Sequence, residues 1–266
     1  MVACLSTTNS LESLTLEFHS PRSRPGASQR PPPPLTRALL PSLTRFRFYG
    51  ASEYLEDFLA RVDAPQLNFF CLTFFNQLSF DLSQLPRFVS RTNKIKEHRQ
   101  AALSFYSNTI EIALLTQTRT DSEADRGTLV LRISCRESDW QLSSVAQLCS
   151  SALLLQSAFK LERLSFYEHP LWSTRWQGDM ESTQWMEFLR PFTAVKSLYL
   201  SKGIALRVAR ALEVLARGGA VTEILPVLQR FFVEGLEPSG SVQGAIEQFI
   251  AARQLSDHPV TVECWV

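Results

Sequence analysis

The sequence predicts an α/β fold, a solenoid of stacked strand–helix units carrying a largely parallel sheet. One apolar spacing recurs, short strand-like segments alternate with amphipathic helices, and the recurrence keeps a near-constant period. LERLSFYE places Leu161, Leu164 and Phe166 as apolar, two variable, apolar, one variable, apolar. VKSLYLSKG repeats the spacing with Val195, Leu198 and Leu200. Leu164 and Leu198 lie 34 residues apart, and Phe231 of LQRFFVEG follows after another 33. A strand and a returning helix at such a period mark an irregular leucine-rich-repeat-like stack. Alternate strand residues face one side, and a helix of three turns cannot cover that side alone, so neighbouring units must share a core. A helical crossover also makes successive strands parallel. An ordinary doubly wound sheet would favour continuous apolar strands and a Gly-rich phosphate turn, and neither GxGxxG nor GxxxxGK[ST] occurs.

The first strand is LESLTLEF, with Leu14, Leu16 and Phe18 on one face. Residues 20–34 form a Pro- and Arg-rich loop within a single domain spanning 1–266. Its PPPP run cannot join a ladder; it reads as a surface insertion or as a ligand for a polyproline reader. LPSLTRFRFYG repeats the spacing with Leu43, Phe46 and Phe48. Ser52 is the expected N-cap of a helix that buries Leu55, Phe58, Leu59 and Val62, with Glu53 and Glu56 near its start. In the next unit Phe69, Leu72 and Phe74 keep the spacing, and the following helix is expected to break near Pro86. Residues 101–135 depart from the pattern: ALSFYSNTIEIALL predicts a central hairpin about Ser107-Asn108, and LVLRISC a further strand. Ser138 or Asp139 caps a helix carrying Leu142, Val145 and Leu148, and Ser182 caps the helix that holds Trp185. ALRVARALEVLARGG is the clearest helix, with Leu206, Ala209, Leu212 and Leu215 assigned to one face and Gly218-Gly219 ending it. A strand, a helix and a last strand close the chain.

Composition narrows the function. A net charge of +1 provides no general field for nucleic acid or a membrane surface, and no apolar run suits a bilayer span. The five cysteines are scattered without CxxC spacing; Cys71, Cys135 and Cys264 sit in strand-like runs as small buried hydrophobes. A reducing compartment, cytoplasmic or nuclear, is the matching expectation. His19, His98, His169 and His258 are isolated, and neither HExxH nor GxSxG is present. No cofactor, metal or catalytic constellation is written in the sequence. An enzyme, a hydrolase or transferase, would need a site dispersed along the chain. The basic run from Arg91 to Arg99 reads as a solvated turn, or as a contact for phosphate or an acidic partner.

Residues alternating away from the core are those a protein partner would meet. Aromatic side chains recur there: Tyr49, Phe75, Tyr167, Tyr199 and Phe232. A cross-strand ladder that stiffens the sheet is the other reading of the same positions. The loop with Trp172, Arg175 and Trp176 is a second candidate binding edge.

The segments SLTRFRFYG, FDLSQLPRFVSRTNKIK, LRISCRESDWQLSSVAQLCSSAL, LERLSFYE, TQWMEFLRPFTAVKSLYLSKGIALRVARALE and ILPVLQRFFVEGLEPSG resemble the leucine-rich-repeat-like region of fungal F-box proteins. That resemblance implies a substrate-recognition solenoid within a cullin–RING ubiquitin ligase. In the family an N-terminal F-box docks on a Skp-type adaptor while the repeats choose the substrate. No F-box-like segment precedes Leu11 here. The expectation is a shortened form, with adaptor binding only where a longer form supplies the F-box.

Overall fold

In the structure, a computed structural model, residues 9–18, 37–75, 82–95, 98–106, 108–115, 128–134, 145, 161–168, 182–219, 221–235 and 241–265 are described. Their order is β1 (Ser13–Glu17), β2 (Ala38–Leu39), β3 (Arg45–Tyr49), α1 (Ser52–Leu59), β4 (Val62–Asp63), β5 (Phe69–Phe75) and α2 (Gln84–Arg91). Three consecutive strands follow, β6 (Gln100–Phe105), β7 (Thr109–Leu115) and β8 (Thr128–Ser134). The rest are β9 (Arg163–Glu168), α3 (Ser182–Leu189), β10 (Ser197–Leu200), α4 (Lys202–Gly218), β11 (Arg230–Glu234), α5 (Ser241–Leu255) and β12 (Thr261–Trp265). The expected helix after Ser138 and Asp139 lies outside the described residues, apart from the buried Val145. The Pro-rich loop lies outside them too. No described helix is long and apolar enough to cross a membrane.

Ten strands form one open sheet in the order β1-β3-β5-β8-β7-β6-β9-β10-β11-β12, while β2 pairs with β4. All neighbours run parallel except at β7, which is antiparallel to both β6 and β8. The β6–β7 hairpin closes with the Tyr106 N–H donating to the Thr109 carbonyl at 2.8 Å. Register is one-to-one across the sheet. Leu14, Phe46, Phe70, Leu129, Leu114, Ala101, Leu164, Leu198, Phe231 and Val262 form a single row. Leu16, Phe48, Leu72, Leu131, Ile112, Leu103, Phe166, Leu200, Val233 and Cys264 form the next.

The helices cover these rows. Phe46 meets Phe58 of α1 at 5.0 Å, Phe70 meets Phe88 of α2 at 5.5 Å, and Phe166 meets Phe188 of α3 at 5.7 Å between ring centroids. Trp185 is fully buried against Phe105 and Phe166. Leu161, Leu164, Phe166, Val195, Leu198 and Leu200 are all core residues. Burial of each such side chain contributes about 1.5–3 kcal/mol.

The register corrects the third unit. Phe70 and Leu72 align with Phe46 and Phe48, so the repeated triplet is Leu67, Phe70 and Leu72, and Phe74 is buried one core step further on. Phe69 instead faces away from the helices, half-buried beneath the Arg47 guanidinium. The expected frame lies two residues late: it puts Phe69 at the apolar position before the strand, and because a two-residue shift keeps side-chain parity, Leu72 and Phe74 stay buried. In α4, Leu206 is 51% exposed, whereas Ile204, Ala205, Val208, Ala211, Leu212 and Leu215 are buried. Strict three-residue spacing drifts about 60° per step, so Leu206 and Leu215 point oppositely. Cys264 has core parity but lies exposed on the terminal strand β12.

Helix starts are capped from neighbouring units. The N-cap of α1 is Ala51, and Ser52 is a buried residue of its first turn. Glu56 is buried, and its carboxylate crosses to α2, accepting from the Gln84 N–H at 2.5 Å, the Leu85 N–H at 3.0 Å and the Ser83 hydroxyl at 3.1 Å. Pro86 therefore does not break α2. It occupies the first turn, where a missing N–H leaves no bond unmade. The α4 start is held alike: its Lys202 N–H donates to Glu234 at 3.2 Å, and Glu168 pairs with Arg207 at 3.5 Å. Gly203 lets Glu168 approach, since a Cβ there would collide with its carboxylate. Gly219, at φ 70°, supplies the left-handed residue that ends α4.

Arg253 of α5 is fully buried without a described carboxylate beside it. Its guanidinium donates instead to the carbonyls of Val221, Leu225, Pro226, Leu228 and His258, at 3.0–3.3 Å. Burial lowers its pKa from the ordinary value.

Two predictions follow from this packing. Glu56→Ala is expected to lower unfolding free energy by about 2–4 kcal/mol, because buried donors lose a charged acceptor. Urea denaturation of the variant beside the wild type checks this. His98 is buried, and burial lowers its pKa from 6.5 to about 4. The unfolded chain binds that proton more readily, so the contribution is complete above a pH of about 6.5 and is lost as pH falls towards about 4. Wild type should therefore lose about 3 kcal/mol over that range relative to His98→Gln, read from urea midpoints at each pH.

Candidate functional site

The sheet face opposite the helices carries the residues singled out as partner-facing. Tyr49, Phe75, Tyr167, Tyr199 and Phe232 all have outward parity in the register. The structure gathers them into two groups rather than one stripe. Trp172, Arg175 and Trp176 lie outside the described residues.

The first group sits on β9, β10 and β11. Tyr199 and Phe232 are directly paired and stack with centroids 4.2 Å apart and planes within 3°. The Arg163 guanidinium lies over the Tyr199 ring at 5.3 Å. Parallel in-register strands place identical positions side by side, so two rings at one position are bound to meet. Tyr167 is the next outward residue along β9, diagonal to Tyr199.

The second group sits on β3 and β5. Tyr49 pairs with Thr73, and Phe75 lies one outward step further on, 42% exposed, opposite Ser134. Thus Phe75 does not share the row of Tyr49 and Tyr167, a consequence of the repeated triplet starting at Leu67, two residues before Phe69. Arg47 lies 5.6 Å over Phe69 on the neighbouring strand.

Between the groups runs a floor of small side chains: Cys71, Val130, Ala113, Ala102 and Ser165, paired strand to strand. Burial raises the Cys71 thiol pKa, with Arg132 opposing it, which keeps the thiol protonated and unreactive. Arg132 and Glu111 form a 2.6 Å ion pair on this face. Burial disfavours the Arg132 charge, but the Glu111 hydrogen bond and charge outweigh it and the pKa is raised.

The basic run 91–99 does not form a separate patch in the described residues. Arg91 pairs with Asp63 at 2.7 Å, and Arg99 approaches Glu162 at 3.5 Å on another part of the surface. Among the described residues no three His, Cys, Asp or Glu side chains are placed to hold a metal ion. Comparison with protein-family models, with curated proteins and with solved structures gives no match.

Arg163 and Phe69 were not singled out from the sequence. For Arg163 the signal was present, since the residue before Leu164 alternates outward as Ser165 does. Phe69 is given a core position by the spacing, because the apolar triplet fits as well two residues later than its true start at Leu67. The Arg163–Tyr199 contact should couple the two residues by about 0.5–1 kcal/mol. A double-mutant cycle of Arg163→Ala and Tyr199→Ala in urea denaturation measures it, and strict additivity would show that the ring contact contributes nothing.

Proposed function

We propose that the chain is a non-catalytic protein-interaction module, an irregular leucine-rich-repeat-like solenoid that presents the outer face of its sheet to a protein partner. The observation that carries this reading is the Tyr199–Phe232 stack with Arg163 laid over it, on a face that the described helices leave uncovered. Rigid aromatic rings and an arginine are the side chains that most often dominate binding energy. The rows paired one-to-one support repeat stacking, because each unit contributes the same positions to the core. The resemblance to the repeat region of fungal F-box proteins supports a role in choosing a substrate for a cullin–RING ubiquitin ligase. In that family the adaptor is met by the F-box, so these residues are assigned substrate choice alone.

The test is affinity capture from cell extract with wild type and a Tyr167→Ala, Tyr199→Ala, Phe232→Ala triple variant of unchanged melting temperature. Loss of about 2 kcal/mol or more per anchor should deplete specifically enriched proteins by well over tenfold. An enriched set identical for both chains would sink the assignment of this face.

A further inference from the structure

Charge on the sheet face opposite the described helices is sorted along the strands. The row at the strand starts contains Arg45, Arg163 and Arg230 and no carboxylate. The next row carries Arg47, with Glu263 only on the terminal strand. Near the strand ends lie Glu17, Glu111 and Glu234, against Arg132 alone. Glu162, next to Arg163, holds Arg99 at 3.5 Å and Lys196 at 3.4 Å, and Glu111 holds Arg132. Among the described residues Arg45, Arg163 and Arg230 have no ion-pair partner.

We infer that this strip of strand starts binds an extended acidic segment of the protein partner, an inference that rests on the interaction-module reading. The Arg47 and Arg163 guanidinium carbons lie 5.6 Å and 5.3 Å from the Phe69 and Tyr199 ring centroids, and each guanidinium can donate a forked pair of N–H bonds to a carboxylate. Strands lie about 4.8 Å apart, so Arg163 and Arg230, two strands apart, are about 10 Å from one another. Arg47 and Arg163, five strands apart, are separated by about 24 Å. The whole strip from β3 to β11 spans about 34 Å, the length of about ten extended residues. The floor between the arginines favours a peptide over single-stranded nucleic acid. Between Phe69 and Arg163 the first row offers Thr128, Leu115 and Gln100, with no ring on which successive bases would stack.

The test is fluorescence anisotropy with three labelled probes of about twelve units each: an alternating Glu–Ser peptide, its Gln–Ser counterpart and an oligo-dT strand. The Glu–Ser peptide should bind saturably and the other two should not. Arg163→Gln combined with Arg230→Gln should weaken binding by about tenfold or more, while Arg217→Gln on α4 leaves it unchanged. Melting temperatures establish that each variant is folded. Equal binding of the Glu–Ser and Gln–Ser peptides, tighter binding of oligo-dT, or no binding at about 1 mM overturns the inference. Partner capture separates it from the broader reading. If capture depends on Tyr199 and Phe232 but survives loss of both arginines, the module reading stands and the acidic segment fails; if capture is insensitive to both changes, both fail.

Discussion

One-to-one register across ten strands is the constraint on which the rest of the structure depends. Strand side chains alternate with period two, so a one-residue slip at any junction would carry a core row onto the opposite face. Here the Leu14-to-Val262 row stays on the helix side at every junction, including the antiparallel ones flanking β7. The face opposite the helices is thus positioned by the same pairing that builds the core. Phe69, Tyr199 and Phe232 stand where they do because Phe70, Leu198 and Phe231 are buried next to them.

Carboxylates couple the units along the other layer. Glu56 leaves its own helix to accept the first N–H groups of α2, while Glu168 and Glu234 come from flanking strands to the start of α4. A helix start concentrates partial positive charge, so a carboxylate brought from a neighbour stabilises it and ties two units together. Gly203 and Pro86 serve the same end, the one by making room and the other by removing a donor. Arg253 does the converse at 221–228, where buried carbonyls converge on one cation. These contacts make stability cooperative between neighbours rather than resident in any helix alone.

Much of the pairing was legible in the spacing of apolar residues. Leu164, Leu198 and Phe231 were related by period alone, and they are hydrogen-bonded neighbours in the sheet. The hairpin about 107–108 was legible from alternation flanking turn residues. Misreadings arose where the sequence admits two phases or where the deciding partner is distant. QLNFFCLTFF fits the apolar triplet in two frames, two residues apart, and only pairing with RFRFY selects Leu67, Phe70 and Leu72 over Phe69, Leu72 and Phe74. Glu56 looks like a helix-start residue, because its real partners lie 28 and 29 residues away in α2. Leu206 shared a spacing with core residues yet rotated away from them. For the face opposite the helices, parity was readable, whereas the Arg163–Tyr199–Phe232 stack required the register of three strands.

The reversed middle of the sheet has a consequence for how the chain acquires its structure. β5 is flanked by β8, so the hairpin β6–β7 and the segment after it must be synthesised before the first half finds its inner neighbour. Growth by adding each new unit to the last is interrupted there, and β8 has to enter between β5 and β7. Such a step closes a long loop before its contacts reward it, which slows folding and leaves the inner edge of β5 exposed meanwhile. The three central strands act as a clasp: until β8 engages, the N-terminal and C-terminal strands are two separate sheets.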